Sequence, residues 1–120
     1  METSLVFFQK FIKTLLLQYE NLQDEDSEIE LIFDDARMRY MALWVGWNGY
    51  RRVHQCAVHI DIIGDRVAIQ CNDTEDSIVA ELVEMGIPQE RIDLNFIHPQ
   101  HRELNTRVEH LENGTISRTH

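Results

Sequence analysis

His59 and Asp61 stand two apart in the run VHIDII, the spacing that puts both side chains on one face of a β-strand. A histidine beside a carboxylate can move a proton or help to hold a metal ion, provided that a third group converges on the pair. Two antiparallel strands alone do not supply one, and His54 falls on the opposite face of the same strand. The pair therefore reads as a hydrogen-bonded couple on the less buried face of a sheet. His98 and His101 have the spacing of a zinc-ligating pair, but no spaced Cys or His motif accompanies them. Cys56 and Cys71 are too few for a disulfide framework and read as two buried thiols of a reducing compartment. The carboxylates from Asp24 to Glu30 form a solvated charge run. The sequence holds no phosphate loop, no glycine-rich dinucleotide motif, no nucleophile elbow and no CxxC. Nothing in it points to a catalyst, and no metal or cofactor is expected.

A second constellation suits contact rather than chemistry. Tyr40, Ala42, Trp44, Val53 and Ala57 line up as an apolar, aromatic strip beside Arg51, Gln55 and His59. Tyrosine, tryptophan and arginine are the types enriched where proteins grip one another. If both helices cover the other face, this strip needs a partner or must be covered by the chain's own first helix or tail. A homodimer or higher homo-oligomer through the strip is the expectation.

The elements that would position these residues centre on Tyr40 to Cys71, three strands joined by two tight turns. Asn48-Gly49 between alternating runs signals a hairpin with both turn residues at positive φ. Gly64-Asp65, glycine first, suits a type II′ turn. Two-residue loops would pair Trp47 with Tyr50 and Ile63 with Arg66. That register places Met41, Leu43, Cys56, Val58, Ile60 and Ile69 on the core face. Before this unit, Leu5 to Leu22 repeats apolar residues at helical spacing, with Phe7, Phe11 and Leu17 widening the stripe. Glu28 to Asp34 alternates as a strand, and a three-residue loop from Asp35 to Arg37 leads onward. After it, Asp73 or Thr74 caps a helix over 75–85, Gly86 ends it in a Schellman motif with Ile87 on Leu82, and Pro88 blocks continuation. Ile92, Leu94 and Phe96 form a short fifth strand.

The fold class is thus α+β: an N-terminal helix, a four-stranded antiparallel meander, a second helix and a short fifth strand, with both helices on one face. One domain spans 1–102, and 103–120 form a variable, partly disordered tail. The 120 residues carry a net charge of −10. That charge opposes direct DNA binding by the isolated chain, because phosphate contacts supply most non-specific affinity. Nine of the 21 acids lie in residues 1–35, whereas five arginines face two acids between Arg37 and Arg66. No apolar run approaches the roughly 20 residues that cross a bilayer. Gln9, Lys10 and Lys13 interrupt the N-terminal apolar residues, so no signal peptide is read and a cytoplasmic location is expected.

At these residues the chain resembles the XisI family, the fdxN element excision controlling factors of nitrogen-fixing cyanobacteria. The resemblance rests on Val45-Gly46-Trp47-Asn48-Gly49 with Arg51-Arg52-Val53, then His59-Ile60-Asp61-Ile62 and Ile69-Gln70. It continues through Asp73, Thr74 and Glu75, Ala80-Glu81-Leu82-Val83, Gly86-Ile87-Pro88, and Phe96 with His98-Pro99 and Arg102. Asn95, where the family often has glycine, and everything after Arg102 depart from it. The resemblance implies a non-catalytic accessory factor in the programmed excision of a DNA element during heterocyst differentiation, working beside a XisH-like, nuclease-like partner. An alternative is a neutralising, antitoxin-like subunit that masks the basic face of such a partner. Tyr40, Trp44, Trp47, Asn48, Gly49, Arg51, Arg52 and His59 are the expected partner-contact residues.

Overall fold

The structure, a computed structural model, describes residues 2–22 and 25–98, with side chains from Ser4 onward. Helix α1 (Glu2–Leu17) leads into strands β1 (Ser27–Asp34), β2 (Arg39–Asn48), β3 (Arg51–Ile63) and β4 (Arg66–Asn72). Helix α2 (Ile78–Met85), a 3₁₀ turn at Gln89–Arg91 and strand β5 (Ile92–Leu94) follow. The five strands lie in sequence order; β1 to β4 pair antiparallel and β5 runs parallel to β4. The expected α+β arrangement is the one found. The expected tail from residue 103 lies outside the described residues.

Both helices pack on one face of the sheet. Phe8, Ile12, Leu15, Leu16 and Tyr19 from the first segment meet Ile78, Leu82 and Ile87 and the strand residues Tyr40, Ala42, Val58, Ile60, Val67 and Ile69. Each fully buried Leu or Ile here contributes roughly 1.5–3 kcal/mol relative to exposure. This core differs from the expected one on β2: Tyr40 and Ala42 are buried, while Met41 is only half-buried and lies on the opposite face. The aromatic strip expected to stay bare therefore sits under the helices.

The cause is one extra residue on β3. The first turn uses Gly49-Tyr50, with Asn48 facing Arg51, so Trp47 pairs with Arg52 and not with Tyr50. Gly49 has φ 64° and Tyr50 is not at positive φ, as a glycine-first turn requires. A slip of two residues preserves the faces. Between Leu43–Cys56 and Ala42–Val58, however, the register shifts, and Ala57 is left as the additional residue. A one-residue shift exchanges the faces from that point on. A second shift between Ile60–Ile69 and His59–Cys71 makes Gln70 the extra residue, which replaces the expected pairings of His59 with Gln70 and Val58 with Cys71. The Gly64-Asp65 turn and the Ile63–Arg66 pairing stand as read.

Smaller corrections have local reasons. The regular helix stops at Leu17, short of Leu22, because successive amides from Gln18 to Glu20 bond three residues back and tighten the chain. The β1–β2 loop has four residues, since Asp34 pairs with Arg39, and Met38 closes it at φ 59°. Ser77, not Asp73 or Thr74, caps α2: its hydroxyl accepts from the Ala80 amide at 3.4 Å. Asn72 and Thr74 instead bond one another, at 2.6 Å, and the backbone of the approaching turn. Phe96 lies beyond β5. The Schellman end is as read, with the Ile87 amide on the Leu82 carbonyl at 3.0 Å.

Side chains then lock the layers together. Asp35 accepts the Tyr40 hydroxyl and the Lys13 ammonium, each at 2.8 Å, and its carbonyl accepts from Gln9 at 3.0 Å. The Tyr19 hydroxyl donates to Asp76 at 2.8 Å. Burial first, and the acceptor aspartate second, raise both tyrosines above the ordinary phenol range. Arg66 grips Asp93 with two bonds of 2.8 and 2.9 Å and the Glu90 carbonyl with a third, fixing β5 against β4. At the far side Ser27 pairs with Gly46, and the Trp47 amide donates to the Asp26 carbonyl at 3.0 Å. A Cβ at Gly46 would run into that carbonyl and the Ser27 backbone.

Two expectations follow for stability. Gly46→Ala should cost more than about 2 kcal/mol, because backbone must move, whereas Gly49→Ala, open around its Cβ, should cost about 1–2 kcal/mol for its positive φ. Thermal melts of both decide it; equal costs would mean that the crossing at Gly46 is slack. Because Tyr19 and Tyr40 hold their protons more tightly folded than unfolded, their contribution is complete below pH ~10 and is lost as pH rises above it. Absorbance at 295 nm should therefore show two of the three tyrosines withheld from ionisation until alkaline unfolding.

Candidate functional site

The sheet face turned away from the helices carries the residues that the sequence singled out for chemistry. Alternation and register place Arg39, Met41, His59, Asp61 and Cys71 there together. His59 Nε2 lies 2.8 Å from Asp61 Oδ1, and Gln70 Nε2 donates to Asp61 Oδ2 at 3.2 Å. Arg39 Nε stands 3.7 Å from the same carboxylate. Among the described residues Asp61 is the one buried charged side chain, and its partners explain how it can be. The network also accounts for the extra residue at Gln70, whose displaced side chain reaches the carboxylate.

What this arrangement does chemically is hold the strands. Asp61 orients His59 and neutralises it when it is protonated, and no third His, Cys, Asp or Glu among the described residues completes a metal cluster. The two cysteines are half-buried on this outer face, not sealed in the core as expected. The Cys71 thiol donates to the Cys56 carbonyl at 3.5 Å. Burial, followed by the neighbouring Cys71, pushes the Cys56 thiol up to about 12, the opposite of an activated nucleophile.

The expected contact residues divide between three places. Tyr40 is wholly buried, and Trp44 is half-buried against the core on the helix side. His59 belongs to the Asp61 network. Trp47, Asn48, Gly49, Arg51 and Arg52 gather at the β2–β3 hairpin, where Arg52 lies over the Trp47 ring at 5.1 Å and bonds the Gly46 carbonyl at 3.3 Å. Trp47 is 57% exposed and Tyr50, which was not among the expected contacts, is fully exposed at the turn. The bonds gathered by Asp35 and the close crossing at Gly46 were not anticipated. A glycine between two bulky strand residues was the available signal for a close backbone crossing.

Known proteins share this fold. The family model described as XisI protein matches residues 1–106. A XisI-like protein from Anabaena variabilis ATCC 29413, solved by crystallography, is 37% identical with a TM-score of 0.77, over 83% of this chain and 94% of that one. The crystal structure of fdxN element excision controlling factor XisI from the same organism is 31% identical with a TM-score of 0.75, over 84% and 94%. Comparison with curated proteins gives no match. The V-G-W-N-G run now has a physical reading, with Gly46 admitting the crossing strand, Trp47 seating Arg52 and Gly49 making the turn. By the family match and by the likeness of both solved structures, the chain belongs to the XisI family.

Proposed function

We propose that this protein is a controlling factor for the excision of a DNA element, a non-catalytic accessory that works through protein contacts in the cytoplasm. The family match carries the reading, together with the likeness to a protein described as an fdxN element excision controlling factor. In its finer form, the proposal is that the chain acts beside a XisH-like, nuclease-like partner during heterocyst differentiation, while a recombinase performs the strand chemistry. The His59–Asp61 pair, engaged in holding strands, supports an accessory role.

Electrostatics favours protein partners over DNA. Arg37 pairs with Asp34 at 3.2 Å, Arg39 approaches Asp61 and Arg66 is clamped on Asp93. Arg51 and Arg52 remain as the exposed basic pair of the central hairpin, in a chain of net charge −10. The same charge supports a second reading, a neutralising subunit that covers the basic surface of a nuclease-like partner.

The isolated chain should show no sub-micromolar binding to duplex DNA in a mobility-shift assay at about 150 mM salt, since two phosphate contacts are too few there. Tight binding would overturn the protein-contact reading. An excision reporter with the recombinase and a XisH-like protein, scored by amplification across the rejoined junction, tests the role itself. Junction product should fall at least about tenfold without this chain, a loss of roughly 1.4 kcal/mol or more in coupling. Unchanged excision combined with relief of partner toxicity would select the neutralising role instead.

A further inference from the structure

On the sheet face turned away from the helices, side chains near the hairpin stand in columns. Register puts Glu28 and Glu30 of β1, Val45 and Trp47 of β2, and Arg52 and His54 of β3 on that face. One row across the strands reads Glu28, Val45, His54, and in the next Trp47 lies beside Arg52. The two glutamates, Arg52 and His54 are exposed, and Val45 is half-buried. An acidic, an apolar and a basic column thus lie side by side on neighbouring strands. No residue from 36 to 60 is acidic, so nothing on β2 or β3 near the hairpin blurs the pattern; Arg39 and Asp61 lie at the far ends of those strands.

We propose that this face joins two copies of the chain across a two-fold axis lying in the interface and parallel to β2. Rotation about such an axis exchanges left and right but keeps position along the strand. It therefore lays β1 of each copy over β3 of the other, so that Glu28 faces His54 and the acidic column meets the basic one. The β2 column lies on the axis and meets its own copy, apolar against apolar, as an isologous contact demands. An in-plane axis across the strands would instead lay β1 on β1 and set glutamate against glutamate. The charge columns select the first symmetry.

The surface is prepared for this use. Arg52 is already held over Trp47 and on the Gly46 carbonyl, so little side-chain freedom remains to be lost on contact. Trp47 is the central aromatic anchor, the type that dominates such interfaces. Two sheets facing each other pack about 10 Å apart with their strands within about 30° of alignment, close enough for the outer columns to pair.

Sedimentation velocity on the full chain at about 50 μM, above the micromolar range of an interface of standard size, tests the proposal. Wild type should run as a dimer. Arg52→Glu/His54→Glu, acidic on both flanks, and Glu28→Lys/Glu30→Lys, basic on both flanks, should each run as monomers with wild-type circular dichroism. Mixed in equal amounts, these two folded variants should form a heterodimer, because opposite flanks then meet in both directions. Trp47 emission should shift to shorter wavelength on mixing. A monomeric wild type, which would mean that residues 99–120 or nothing covers the face, overturns the proposal. So does either variant remaining dimeric alone, or a mixture that stays monomeric.

Discussion

One inserted residue, Ala57, decides what this fold buries. Continued unbroken through Ala57, the alternation that begins at Arg51 would set Tyr40 and Ala42 on the face of His59 and opposite to Val58 and Ile60; the insertion brings all four to one side. Because side chains alternate with period two, no smaller change of register could exchange the faces. The extra residue is itself small and buried, 1% exposed, so it occupies the sheet without opening the core. The packing of Phe8, Ile12, Leu15 and Leu16 against the sheet depends on the side that this insertion presents.

Once Tyr40 is turned inward, its hydroxyl must find an acceptor, and the turn between β1 and β2 supplies one. Asp35 takes that bond and the Lys13 ammonium together, so one turn carboxylate ties the meander to the helix above it. The hydrogen bonds from Lys13 and Tyr40 hold the Asp35 carboxyl below the usual carboxylate range. On the opposite side of the sheet Asp61 plays the corresponding part for β3 and β4, receiving Gln70 and facing His59. Two carboxylates, one on each side of the sheet, thus each gather several side chains around the central strands.

The order of elements was legible because hydrophobic periodicity and punctuation agree at every level. Gly64-Asp65, Gly86 with Ile87, and Pro88 each name a backbone geometry that few other residues allow, and each was read correctly. The inserted residues Ala57 and Gln70 were not legible. A bulge leaves no mark on composition, and both lie within runs that alternate plausibly in either register. Asn48-Gly49 misled for a related reason: the pair suits one turn type, but glycine alone suffices for another, and the chain uses Gly49 first. Of the residues read as contacts, Trp47 and Arg52 stand exposed at the hairpin, whereas the side of the sheet on which Tyr40 and Trp44 lie followed from an insertion that no side chain announces.

The arrangement of the outermost strands has a further consequence. A sheet with bare edges invites strand addition from any extended chain, and ends of this kind are where ordered aggregates begin. Here β5 offers three residues, too short to template a neighbour, and Arg66 fastens it from within. The other edge, β1, is eight residues long, but it carries exposed Glu28 and Glu30, and exposed Glu25 and Asp26 precede it. Two such edges brought together antiparallel would align carboxylate with carboxylate. Among the described residues the sheet is therefore finite: it ends at five strands, by short length on one side and by repulsion on the other.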